Sequence, residues 1–147
     1  MNEKTIFING GTSVDDRGEL LFCNDFDMNE IKRFYQVSNH SSNFIRAWHA
    51  HKYESKYVFV ISGAAILAGV KIDDWDNPDK DTEVERTILT DKRPGVLFIP
   101  AGYAHGYKTL VADTKIMFFS TASLDKSIDD DYRYEAYYWN PWEIEER

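Results

Sequence analysis

Apolar residues in this chain come in short runs, rich in β-branched and aromatic side chains and broken every few residues by Gly, Pro, Asn or Asp. That pattern leaves room for an all-β sandwich or barrel and little else. The clear strand candidates are Ile31 to Ser38, Phe44 to Ala50, Tyr57 to Ile61, Ala64 to Ile72, Val84 to Leu89, Gly95 to Ile99 and Lys115 to Ser120. Tyr57-Val-Phe-Val-Ile61 is apolar on both faces and belongs in the middle of the domain, with Gly63 ending it. Asp73 to Asp81, dense in charge and turn formers, reads as an exposed hairpin loop. Helical periodicity is weak throughout. Only Ser123 to Asp131 has the composition of a short helix or turn, and its acidic end, Asp129 to Asp131, reads as a solvated turn.

With 147 residues there is enough chain for one hydrophobic core and not two, so a single domain over 1–147 is expected. The tail 132–147, YRYEAYYWNPWEIEER, is too aromatic to leave in water. It is expected to pack on the barrel or on a second subunit, and a homodimer is the simplest assembly. A net charge of −8 repels nucleic-acid backbones and anionic membranes, which excludes both as main partners. An anionic small molecule would need a local cluster of cations, for which Arg17, Arg33, Arg46 and Lys56 are available. Cys23 is the single cysteine, so no intrachain disulfide can form. The N-terminus lacks the basic start and apolar run of a secretion signal, and cytoplasmic residence is expected.

The chemistry centres on histidines. His49 and His51 are two apart, so on an extended strand both project from one face toward one small molecule. Lys56 and Gly63 follow, and later comes Pro100-Ala101-Gly102-Tyr103-Ala104-His105. Three histidines and a lysine in one place would be costly to bury without a use.

This two-part pattern resembles the signature of the cupins, His-x-His and then Pro-x-Gly-x-x-His on neighbouring strands of one jelly-roll barrel. The resemblance implies an all-β cupin fold that gathers His49, His51 and His105. Metal-binding cupins normally carry a Glu ligand where Lys56 stands, and an ammonium there repels a divalent ion. No metal and no cofactor are therefore expected, although Glu54, two residues away on the same face, could restore a carboxylate ligand.

A lysine beside these histidines resembles the nucleotide-sugar branch, the 3,5-epimerases and 3,4-ketoisomerases of dTDP-4-keto-6-deoxyhexoses. Asp16-Arg17-Gly18-Glu19, Ile45-Arg46-Ala47-Trp48-His49, Ile99-Pro100-Ala101-Gly102-Tyr103-Ala104-His105-Gly106-Tyr107 and Trp139-Asn140 are similar to epimerase motifs. Lys32-Arg33-Phe34-Tyr35, Trp48-His49-Ala50-His51-Lys52 and Asp131-Tyr132-Arg133 are similar to ketoisomerase strands and tail. The tyrosine acid that epimerases carry before the closing Trp has no counterpart in SLDKSIDDD.

The resemblance implies proton abstraction next to a ketone. His49 is matched to that task near neutral pH, and Lys56 offers a fixed charge for the ketone oxygen. His51, Tyr35, Tyr103 and Tyr107 are candidates for a second acid, and His105 for a second base or a hydrogen-bonding role. Arg17 and Arg46 would pair with the diphosphate, and an aromatic ring would stack on the base. Arg33, Trp48, Tyr103 and Tyr107 complete the substrate-binding set. Trp48 equally suits core or subunit interface, and Arg33 and Arg46 equally suit structural ion pairs. The reading is an isomerase or epimerase, with the ketoisomerase almost level and cell-surface polysaccharide assembly as the implied setting. A metal-dependent cupin enzyme and a non-catalytic sugar-binding cupin are the rival classes.

Overall fold

A computed structural model describes residues 4–147; Met1 to Glu3, the first positions of the expected domain, lie outside the described residues. In chain order the elements are β1 (Ile6–Asn9), β2 (Gly11–Asp15), β3 (Gly18–Phe22), β4 (Arg33–Val37), β5 (Ile45–Ala50), β6 (Lys56–Ser62) and β7 (Ala64–Lys71). Then follow β8 (Glu85–Thr90), β9 (Gly95–Ile99), β10 (Tyr103–Thr109), β11 (Lys115–Ser120), α1 (Leu124–Asp129) and β12 (Tyr132–Arg133). Two five-stranded antiparallel sheets, ordered β1-β9-β6-β11-β4 and β12-β5-β10-β7-β8, form the jelly roll. Seven of these strands coincide, within two residues at each end, with the runs expected from sequence.

Alternation along each strand decides which side chains meet between the sheets. Val58, Val60, Leu97, Ile99, Ile116 and Phe118 enter from the first sheet, and Ala65, Leu67, Leu89, Tyr103 and Tyr107 from the second. The outer face of the second sheet is equally apolar, with Trp48, Ala50, Ile66, Ala68, Val70 and Ala104, and the tail covers it. Trp48 exchanges backbone hydrogen bonds with Tyr134 (3.0 and 3.1 Å), and its indole N–H donates to the Ala136 carbonyl at 3.1 Å. Trp139 packs edge-on and Trp142 tilted against Trp48, with ring centroids 5.3 and 5.2 Å away. Gly106 of β10 lets this layer close, since a Cβ there would stand 2.4 Å from Ala47 Cβ.

Two surfaces stay uncovered. The outer face of the first sheet carries partly exposed Tyr57, Phe98 and Phe119, and Phe34 is 60 % exposed. The hairpin β2–β3 pairs only with itself, and its Val14 and Leu20 are exposed. β1–β3 were not among the expected strands, and β10 was expected only through the cupin resemblance, not from its residue pattern. β10, YAHGYKT, lacks an apolar alternation because small residues face one side and site residues the other.

Candidate functional site

His49 on β5, His51 just past its end, Lys56 on β6, Tyr35 on β4, and His105 and Tyr107 on β10 all line one open cavity of about 460 Å³. Arg33, Arg46, Asp131 and Arg133 stand with them, and Ser127 and Ile128 of α1 complete the wall. Two local devices bring these side chains together. The turn before β10 needs Gly102, whose φ of 88° is left-handed and favours glycine. Its N–H donates to the His51 carbonyl at 2.8 Å, which ties the two histidine-bearing segments together. The second device is a register shift between β10 and β5, where His105 pairs with His49 but Tyr107 pairs with Arg46. One extra residue in β5 over that step turns Arg46 to the same side as His49 and His51.

Lys56 is buried at 3 % exposure beside a carboxylate that is buried too. Its ammonium donates to Glu54 Oε2 at 2.6 Å and to the Tyr35 hydroxyl oxygen at 3.0 Å. An ammonium has three donors, so one N–H remains for the cavity. Burial lowers the Lys56 pKa, and the Glu54 hydrogen bond and charge oppose that. Burial also raises Tyr35 to about 12, so its phenol keeps its proton and can donate it in a hydrogen bond. Burial raises Tyr107 as well.

The histidines sit in surroundings that set their protonation. Burial first, and then the Arg133 cation, push His49 below its ordinary value, with Asp131 opposing. Burial and the neighbouring Lys56, His51 and His49 push His105 well down, so it is neutral. His51 Nδ1 lies 2.5 Å from the Asp130 carbonyl oxygen. A carbonyl only accepts, so Nδ1 carries the hydrogen and Nε2 holds the ring's lone pair.

Asp130 is the residue that sequence reading missed most clearly. It is not part of a solvated turn: it is 7 % exposed, and its carboxylate accepts the backbone N–H groups of Lys52, Tyr53 and Glu54 at 2.7, 2.9 and 3.2 Å. Arg133 was missed as a site residue too. It pairs with His49 in the β12–β5 register and bonds Asp131 at 3.1 Å. Its position two residues from Asp131 on a short strand was the available signal.

Three expected binding residues stand elsewhere. Trp48 is fully buried on the outer face of its sheet under the tail, because alternation places it opposite His49. Tyr103 lies in the inter-sheet core and its hydroxyl donates to Glu85 Oε2 at 2.6 Å. Arg17 tips the free hairpin, is exposed, and pairs with Asp15. Glu54, the carboxylate that could have restored a metal ligand, has its Oε2 taken up by Lys56, Ser120 and Arg33. The His49 and His51 rings lie 6.2 and 5.7 Å from the His105 ring, and the described residues hold no group of three His, Cys, Asp or Glu placed to bind an ion.

The jelly roll and its histidine-lined cavity define a cupin. A family model described as dTDP-4-dehydrorhamnose 3,5-epimerase matches residues 5–140. The chain belongs to that family and is an enzyme of the dTDP-sugar epimerase and ketoisomerase kind. The spore coat polysaccharide biosynthesis protein SpsL of Bacillus subtilis (strain 168) is 28% identical over 134 residues, 89% of this chain and 83% of that protein. The solved dTDP-4-dehydrorhamnose 3,5-epimerase of Bacillus anthracis, with TDP and pyrophosphate bound, superposes with a TM-score of 0.76 at 20% identity over 97% of this chain and 86% of that one. The sugar 3,4-ketoisomerase QdtA of Thermoanaerobacterium thermosaccharolyticum, in complex with TDP, gives 0.67 at 20% identity over 94% and 93%.

Proposed function

We propose that the cavity isomerises a nucleotide-linked 4-keto-6-deoxyhexose, with dTDP as the carrier, by taking the proton next to the ketone. One observation carries this reading: a buried ammonium and a protonated phenol, 3.0 Å apart, share a cavity with a neutral histidine. His49 takes the C–H proton, and the electron pair moves through the new C=C bond onto the ketone oxygen. Lys56 and Tyr35 each have a hydrogen left to donate to that oxygen, which is where charge develops. Return of a proton to the opposite face of the same carbon gives the epimer. Delivery to the former carbonyl carbon, with the hydroxyl proton of the neighbouring carbon passed to the former ketone oxygen, moves the ketone. The His51 contact with the Asp130 carbonyl favours this second reading, because a neutral ring with Nδ1–H so placed has an Nε2 lone pair that can take the hydroxyl proton and hand it to the former ketone oxygen. His105, neutral and buried, serves as a hydrogen-bonding partner.

Arg46 and Arg133 hold the diphosphate at the rim, and Arg33 and Tyr107 border the sugar. Arg17 is too far out on its hairpin to serve its own cavity, and its role requires a second copy. A free two-stranded ribbon with apolar residues on it is itself marginal. Together with the uncovered aromatic face of the first sheet, that supports a homodimer. The enzyme works in the cytoplasm, where nucleotide-activated sugars are made, and its product feeds polysaccharide assembly.

The test is proton NMR of the protein with dTDP-4-keto-6-deoxyglucose in deuterated water, with His49→Ala as control. Deuterium beside an unmoved carbonyl shows epimerase chemistry, and a relocated carbonyl shows the ketoisomerase. No exchange above the control overturns the proposal.

A further inference from the structure

Glu54 lies outside the set of groups that meet the substrate, yet its carboxylate is the most enclosed charge at the site, with the side chain 1 % exposed. Its two oxygens are used unequally. Oε2 receives the Lys56 ammonium at 2.6 Å, the Ser120 hydroxyl at 2.5 Å and the Arg33 guanidinium at 3.4 Å. Oε1 is buried and has no hydrogen-bond partner, with His51 Nδ1 3.7 Å away. A buried carboxylate oxygen left unpaired is costly and calls for an explanation.

We propose that Glu54 is a positioning residue serving both halves of the reaction: Oε2 fixes the Lys56 ammonium against Tyr35, and Oε1 is the counter-ion for His51 when that ring takes up a proton. The inference rests on the isomerase reading above. With one Lys56 N–H on Glu54 and another on Tyr35, the direction of the third into the cavity is set. Without Glu54 the lysine would be a long, freely rotating chain, facing Arg33, His49, His51 and His105 as well as Asp131 and Tyr35. The carboxylate is itself fixed from outside the cavity, since Asp130 holds the Glu54 backbone N–H. On the other side, His51 already donates Nδ1–H to the Asp130 carbonyl. Once protonated it becomes a cation in a cavity rich in cations, and Oε1 is the anion beside it. The asymmetry of Glu54 is then explained, with one oxygen occupied in the resting enzyme and the other kept for the charged state.

The test pairs two readouts on the full chain, native and Glu54→Gln. The first needs no substrate: competitive labelling of amines across a pH series, read at Lys56 by mass spectrometry, reports where this lysine becomes a neutral nucleophile. In E54Q that point moves to lower pH. The second is steady-state kinetics on the keto-sugar. There kcat falls on the order of 10²-fold, the scale of losing one aligned oxyanion donor, with KM little changed and the basic limb of the pH profile displaced downward. Glu54→Asp keeps the charge and shortens the reach. It labels like the native chain and loses less kcat than E54Q, so it carries the test if E54Q does not fold.

An unchanged Lys56 labelling profile in E54Q overturns the inference, as does native kcat in E54Q or E54D. A displaced labelling profile in a protein whose native form turns over no keto-sugar instead overturns the functional reading.

Discussion

Replacing Lys56 by Met keeps the length of the side chain and removes its charge, which leaves Glu54 ionised, buried and short of its best partner. Breaking a buried pair from one side costs about 3–5 kcal/mol, because an uncompensated charge stays inside. Here Ser120 and Arg33 still reach Oε2, at 2.5 and 3.4 Å. The loss at neutral pH is therefore expected at the low end, about 3 kcal/mol. The pH dependence gives the sharper check. Burial alone raises the Glu54 carboxyl, but hydrogen bonds, those from Lys56 and Ser120 foremost, outweigh it and hold the pKa below the ordinary value. A depressed carboxyl contributes stability above its unfolded pKa and loses it as pH falls through the folded value. In K56M the largest of those opposing hydrogen bonds is gone and burial raises the carboxyl. The variant is then penalised at neutral pH and relieved as pH falls, since a protonated Glu54 has no charge to bury. The assay is urea unfolding of native, K56M, E54Q and the double variant at neutral pH and again near pH 5, at one protein concentration because subunit association would add to stability. The double variant is expected to be more stable than K56M, since removing both charges removes the penalty. A K56M loss that grows on acidification, or a double variant no better than K56M, would refute the reasoning.

Burial and the Arg133 cation depress the His49 pKa, so its ring stays neutral to a lower pH than an ordinary histidine does. The acid limb of kcat/KM is therefore expected below pH 6.5, and a limb at or above that value contradicts the role of His49 as base. Arg133→Ala removes a cation that lowers His49, so the limb moves up toward the ordinary histidine value. In the same variant KM for the nucleotide-sugar rises about tenfold, the scale of one lost charge-assisted contact, with kcat much less affected. Gly106→Ala drives a methyl group to within 2.4 Å of Ala47 and 3.0 Å of Trp142. It is expected to cost about 1–3 kcal/mol and lower Tm by several degrees in calorimetry.

The jelly roll was legible because its strands alternate or run apolar, and their limits coincide with Gly, Pro and Asp. The histidine set was legible because His49 and His51 obey the two-residue period. What failed was the extension of that period. Arg46, three residues from His49, reaches the cavity only through the register shift against β10. Trp48, which a short motif makes look like a binding residue, follows plain alternation onto the outer face. Asp130 and Arg133 could not be read because their value lies in contacts made across the fold, to a loop 76 to 78 residues back and to a strand edge. Glu54 was legible as a residue on the site's face but not as the partner of Lys56. The pairing depends on how the segment before β6 is fixed by Asp130.

On the proposed reading, a molecule of net charge −8 that recruits a diphosphate has to reverse its own field locally. The cavity does so with Arg33, Arg46, Lys56 and Arg133, offset by Glu54 and Asp131. The same cations have a second effect. Lys56 lowers both His49 and His105, and Arg133 lowers His49, so the groups that attract the phosphates also keep the bases unprotonated and able to accept a proton. Binding of the diphosphate would then oppose that setting, because two added negative charges at the rim raise the pKa of a nearby imidazole. A base that gains proton affinity when substrate arrives is matched to taking a proton from carbon. The acid limb of kcat is accordingly expected at higher pH than that of kcat/KM, since the first reports the complex and the second the free enzyme. Both limbs should draw together at high salt, where the rim charges are screened. Coincident limbs at low salt would show that the phosphates bind too far from His49 for this coupling.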